Sequence, residues 1–109
     1  MSKDQQSIFD IIDSIELIQD YAQSSNWSQV RTQEHDAVIR RLTIIGEATK
    51  RLSPEFRTNH PEIPWRAMAG LRDFVVHEYD VINLEIIQDV VNDELPKLLP
   101  ILKNLLSQF

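Results

Sequence analysis

The chain has 109 residues, 42% of them apolar and 26% charged, with no cysteine and a formal net charge of -6. That length predicts one domain, residues 1–109, able to bury roughly two thirds of the surface of its unfolded chain. The composition argues against a disordered chain, and the lack of cysteine excludes disulfides, thiolate metal sites and a cysteine nucleophile.

No apolar run follows the N-terminal MSKDQQSIFD, and no stretch approaches roughly 18 consecutive apolar residues. The expectation is a soluble, cytoplasmic protein with neither signal peptide nor membrane span. An acidic total argues against gripping nucleic acid over the whole surface, since counterion release needs clustered Lys and Arg. The charge is uneven, however: residues 1–39 carry -5, residues 40–66 carry +3 and residues 67–109 carry -4. The basic middle holds Arg40, Arg41, Lys50, Arg51, Arg57 and Arg66. It reads either as the solvated face of a long helix or as a phosphate track.

Ile8, Ile11, Ile12, Ile15, Ile18 and Ala22 recur at steps of three and four, which predicts an amphipathic helix over residues 4–23. Residues 24–31 read as a connector of at most one helical turn. Thr32 suits the cap of a second helix reaching about Leu52, with Ala37, Val38, Leu42, Ile44, Ile45 and Ala48 on its apolar face. Gly46 interrupts that helix at a cost of about 1 kcal/mol; the position is either merely tolerated or marks a close approach, and close packing of a neighbouring backbone is a better explanation than a ligand contact. Glu47 reads as a solvated charge. Ser53-Pro54 closes the helix, and residues 53–64 read as a loop with one turn at Pro54-Glu55-Phe56 and an exposed His60.

Pro64 fits the first position of a third helix running to about His77, whose Trp65, Met68, Leu71, Phe74 and Val75 face a core. Asn83 suits the cap of a fourth helix carrying Leu84, Ile86, Ile87, Val90, Val91 and Leu95. Pro96 and Pro100 then interrupt an apolar pattern that continues to Leu106, which predicts a kink or break at Pro96 and a terminal helix beyond it. With no strand pattern and no repeat, the fold class is all-α, a bundle of four or five helices.

Chemistry is concentrated in residues 67–79, AMAGLRDFVVHEY, which hold Arg72, His77 and Tyr79. An arginine is a permanent, forked donor suited to phosphate, and a histidine moves protons near neutral pH. Residues five apart on a helix lie about 140° apart around the axis and about 7.5 Å along it, so Arg72 and His77 do not pair on one helical face. A site forms if the helix ends near His77, or if a two-fold axis doubles both groups around one groove, which predicts a homodimer. The bland alternative is an exposed arginine and a histidine that caps carbonyls at a helix end. The histidines His35, His60 and His77 lie in separate segments with no metal-ligand spacing, so no metal is expected. Both glycines, Gly46 and Gly70, fall in predicted helices, which excludes a nucleotide-binding glycine loop.

The runs AVIRRLTIIGEATKRLS, HPEIPWRAMAGLRDFVVHEY and DELPKLLP, in that order and spacing, resemble the HEPN fold, specifically the HepT toxins of HEPN/MNT toxin-antitoxin pairs. The resemblance covers residues 37–99. It implies a HEPN-like up-and-down bundle, homodimeric, acting as a metal-independent endoribonuclease through an Arg-x4-His-x-Tyr motif, here Arg72, His77 and Tyr79, with no cofactor. Arg72 would then stabilise the phosphorane charge and His77 would act as general base or acid, giving a 2',3'-cyclic phosphate end. Asp73 matches a polar residue that orients the arginine. Tyr79 matches the tyrosine that the MNT nucleotidyltransferase antitoxin modifies with AMP, although its bland reading is a packed ring with a hydrogen-bonded hydroxyl. An mRNA or tRNA would be the substrate, with Arg40, Arg41, Lys50, Arg51 and Arg66 as candidate RNA contacts. Glu78 departs from the glycine of many relatives and would oppose RNA by charge. The contrasting reading is a non-catalytic helical module that holds a protein partner, nucleotide or RNA.

Overall fold

The aliphatic spacing of the N-terminal third produces helix α1 (Lys3–Ser24), whose Ile8, Ile11, Ile12, Ile15 and Ile18 are all buried. In this computed structural model, which describes residues 1–24, 33–74 and 84–109, they meet Val38, Leu42, Ile45 and Ala48 of helix α2 (Gln33–Arg51) in one core. The two helices run antiparallel. Asp4, at the start of α1, accepts hydrogen bonds from both the N–H and the hydroxyl of Ser53, just beyond α2, at 2.8 Å each. Asp10 pairs with Arg51 at 3.1 Å one to two turns further along. Connector residues 25–32 and the proposed cap Thr32 lie outside the described residues.

Ser53 has extended backbone angles, φ -64° and ψ 146°, and its Oγ accepts from the N–H of Phe56, so it caps a short helix α3 (Pro54–Asn59). The expected single turn is therefore a six-residue helix. His60, expected to be exposed, is only 24% exposed at its side chain. Its ring lies 4.7 Å from that of Phe56, and its carbonyl accepts the indole N–H of Trp65 at 2.9 Å. Pro64 and Trp65 turn the chain into helix α4 (Trp65–Ala69), with Pro64 one residue ahead of the first helical position rather than on it. Gly70 forms a turn, and residues 71–74 are helical again, tied back by the bond from the Phe74 N–H to the Gly70 carbonyl at 2.9 Å. Trp65, Met68 and Leu71 are buried and Phe74 packs on the core, as their spacing predicts.

Of the kink or break expected at Pro96, a break does not occur: the helix changes type ahead of the proline, and the expected terminal helix follows. Helix α5 (Leu84–Asp89) passes through a π-helical stretch (Val90–Glu94) directly into helix α6 (Leu95–Ser107). Proline has no N–H for the carbonyl four residues back, and its ring crowds that carbonyl. The chain accommodates this by letting the Leu95 N–H reach five residues back, to the Val90 carbonyl. Val91 and Leu95 stay on the core side, and Pro100 is carried inside α6 without ending it. Helix α6 runs antiparallel to α1: Lys103 meets Glu16 at 3.2 Å, while Phe109 stacks on Phe56 near the start of α1, with ring centroids 5.6 Å apart. The described residues are all-α, a HEPN-like bundle 41 × 24 × 21 Å in extent. No helix among them is long and apolar enough to cross a membrane.

Candidate active site

The segment that carries Arg72 is held against α2 by a glycine. A Cβ placed on Gly46 would lie 3.0 Å from the Arg72 backbone nitrogen, 3.3 Å from the Ala69 carbonyl oxygen and 3.5 Å from the Arg72 Cβ. Two of those three neighbours are backbone, so the helices touch main chain to main chain there, and any larger residue would push the 69–72 segment away. The mid-helix glycine thus marks close packing, and what it packs is the residue singled out for phosphate chemistry. Gly46 itself is buried, whereas the side chains of Arg72 and Asp73 are exposed. The backbone of Arg72 is fixed while its guanidinium reaches solvent, the arrangement a phosphate-binding arginine needs.

Leu71 on one side of Arg72 is buried and Phe74 is partly buried against the core. These apolar anchors set the rotation of the segment and turn Arg72 and Asp73 outward. His77 and Tyr79, with Glu78 between them, lie outside the described residues, as do Val75 and the proposed cap Asn83. The structure therefore places one member of the Arg72, His77 and Tyr79 set.

The basic residues of the middle region divide by environment. Arg40, Lys50 and Arg66 are exposed and Arg41 is half-buried, and among the described residues none of them forms an ion pair. Lys50 lies four residues after Gly46, on the same side of α2 as the 69–72 contact. Arg51 is different: its guanidinium is held by Asp10, which also accepts from the Gln6 amide at 2.8 Å. Glu47 is exposed, in keeping with a solvated helix charge.

Two residues named in the sequence were given no site of their own there. His35 is fully buried in α2, where the helical pattern alone gave no sign of it. Arg57 lines an open cleft between α3 and α4 with Arg66, and its position in the basic run was the only signal available. Among the described residues no group of three or more His, Cys, Asp or Glu could hold a metal ion.

The family described as "Ribonuclease HepT-like" matches residues 11–105. A Thermococcus cleftensis protein named "Probable ribonuclease HepT" is 37% identical over 91 residues, spanning 82% of this chain and 83% of that relative. A Methanocaldococcus jannaschii protein named as a "Putative RNase" is 39% identical over 93 residues, 82% of this chain and 75% of the relative. A longer protein of the same organism, named as a gamma-glutamylcyclotransferase and "putative RNase", is 41% identical over 90 residues. There the match spans 81% of this chain but 40% of the relative's own length. No solved structure matches the chain. By the extent of the family match and these identities, the chain belongs to the HepT-like ribonuclease family.

Proposed function

We propose that the protein is a metal-independent endoribonuclease, the toxin of a toxin-antitoxin pair, with Arg72 and His77 as its catalytic residues. The observation that carries this reading is the pairing of a fixed backbone with a free guanidinium at Arg72, in a chain of a ribonuclease family. In the reaction, the 2'-oxygen of a ribose attacks the adjacent phosphorus as its proton passes to a base, and the 5'-oxygen of the next nucleotide leaves with a proton from an acid. His77 serves as one of these two groups, and Arg72 stabilises the doubly charged phosphorane with forked hydrogen bonds. The products are a 2',3'-cyclic phosphate and a 5'-hydroxyl. No metal enters these steps.

Asp73 follows Arg72 on the exposed side and would orient it. Tyr79 is the acceptor of AMP from a nucleotidyltransferase antitoxin, and the added phosphate would close the groove to RNA by bulk and by charge. A homodimer places two copies of the set around one groove. The large apolar side chains exposed on α1 and α6, Phe9 at 45% and Ile101 at 40%, support such an interface.

The decisive experiment is cleavage of total RNA and tRNA in EDTA by wild type, Arg72→Ala and His77→Ala, with chemical analysis of the ends. Cyclic phosphate ends from the wild type, lost in both variants, would support the assignment. Cleavage that survives His77→Ala would remove His77 from the chemistry. No cleavage by protein shown by mass to be unmodified would favour a binding module, the reading that the net charge of -6 supports. Tyr79→Phe should escape AMP transfer when incubated with the antitoxin and ATP; an adenylate mass shift that persists would place the modification elsewhere.

A further inference from the structure

Besides Arg72 and the unpaired Arg40, Arg41 and Lys50 of α2, positive charge gathers in a cleft of the described residues. Pro54, Arg57, Thr58, Trp65, Arg66 and Ala69 line an open cleft of about 430 Å³ between α3 and α4, with no carboxylate among them. Arg57 is half-buried, and its Nε is shielded from solvent without any hydrogen-bond partner among the described residues. Neither Arg57 nor Arg66 forms an ion pair there, unlike Arg51, which Asp10 holds. Guanidinium groups do not lose their protons, so the fold keeps two permanent charges facing one opening and leaves at least one shielded donor unmet.

We propose that Arg57 and Arg66 form a phosphate-binding subsite that holds a phosphodiester of the RNA strand beside the bond cleaved at Arg72. The inference rests on the ribonuclease reading and extends it to a second contact on the strand. Arg66 and Arg72 are six residues apart on the same segment, which is about 9 Å at helical rise. On an ideal helix that spacing also turns about 120° around the axis, so a strand meets both only by crossing over the Gly70 turn from one side of the segment to the other. The Thr58 hydroxyl adds a donor at the cleft.

The chemistry of the cleft selects backbone rather than base. Among the described residues Trp65 is the one aromatic residue lining it, but its ring is buried and its indole N–H is committed to the His60 carbonyl. No free aromatic face is left for a base to stack on, and the donors that remain are charged or hydroxyl groups suited to phosphate. Binding through this cleft is thus independent of sequence and sensitive to salt.

The test is binding of a labelled single-stranded oligouridylate and of a mixed-sequence RNA across a salt series, all in a His77→Ala background that cannot cleave. Arg66→Ala, a change at an exposed residue, should weaken both RNAs equally and flatten the slope of log K against log salt by about 0.7, one phosphate contact on a single strand. Arg57→Lys keeps the charge but not the fork, and should weaken binding less than Arg57→Ala. Circular dichroism melts establish that each variant is folded.

Unchanged affinity and slope in both Arg66→Ala and Arg57→Ala, with Arg72→Ala still weakening binding, would overturn the subsite and leave the ribonuclease reading standing. If the background protein binds no RNA at any salt, both fall together. Competition by inorganic pyrophosphate or AMP as effective as that by RNA of equal phosphate concentration would mean the cleft takes a free phosphate compound, which overturns the strand assignment.

Discussion

In the α1–α2 pair, Ile8, Ile11, Ile15, Ile18, Val38, Leu42 and Ile45 are all wholly shielded from solvent, whereas α3 buries no residue and α4 buries only Trp65 and Met68. The first region is held by aliphatic area, at about 1.5–3 kcal/mol for each such side chain fully buried. The second is held in place by individual directed contacts. Ser53 is bonded to Asp4, the Trp65 indole to the His60 carbonyl, Phe56 stacks on Phe109, and the 69–72 backbone rests on Gly46. The difference separates scaffold from chemistry. The proposed phosphate contacts Arg57, Arg66 and Arg72 thus lie on or beside short elements with little core of their own, positioned from outside by a rigid pair.

That comparison breaks most visibly at Ile15. Ile15→Ala removes a fully buried side chain from the α1–α2 core and should destabilise the protein by about 2–5 kcal/mol, read from urea unfolding. A cost below about 1 kcal/mol would mean the aliphatic pair is not the main source of stability. Gly46→Ala tests the joint between the two regions. Alanine gains about 1 kcal/mol of helix propensity, but its Cβ would sit 3.0 Å from the Arg72 nitrogen, and displacing packed backbone costs about 1–3 kcal/mol. We expect a net loss near ~1 kcal/mol together with a larger loss of cleavage per folded molecule, because the displaced segment carries Arg72. Full activity with unchanged stability would show that the contact yields without moving the arginine.

The scaffold was more legible in the sequence than the site. The isoleucine stripe of α1 reads as one buried face, and close packing is the favoured explanation of the mid-helix glycine of α2; the structure realises both. The terminal helix after Pro96 was legible, but not how the chain reaches it, because a missing N–H can be absorbed in two ways. A break and a π-helical stretch both accommodate the proline, and the second keeps Val91 and Leu95 buried in the core. His60 misled because a loop flanked by Asn59 and Pro61 reads as exposed, while its burial depends on Phe56 and Trp65, whose approach is tertiary. The basic run from Arg40 to Arg66 gave charge without orientation. Sequence does not distinguish Arg51, engaged by Asp10 from another helix, from Arg66, which opens onto a cleft.

A smaller effect is expected at Asp4, which ties the start of α1 to the joint before α3. Asp4→Ala removes the acceptor of two bonds from Ser53, and the part-buried site should lose about 1–2 kcal/mol. Asp4→Asn keeps one acceptor and should recover part of it. Ser53 Oγ would still cap Phe56, so α3 should persist and cleavage should change less than stability. Loss of all cleavage in folded Asp4→Ala would instead make this tie part of how the second region is positioned.

The smallest effect separates the two kinds of arginine. The Arg51–Asp10 pair is solvated, with side chains 48% and 31% exposed, so Arg51→Ala should cost about 0–1 kcal/mol, diminishing as salt is added. Asp10 keeps its bond from Gln6, so its carboxylate is not stranded. Because Arg51 would have to leave Asp10 before it could meet a phosphate, its removal should change RNA affinity and salt slope less than Arg66→Ala does. Equal effects would mean that position along the basic run governs RNA binding and that an ion pair to a neighbouring helix does not withdraw an arginine from it. A near-zero change at Arg51 beside a clear one at Arg66 would instead show that the α1–α2 pair uses its charges to hold itself together, and that the cleft between α3 and α4 keeps its charges for the strand.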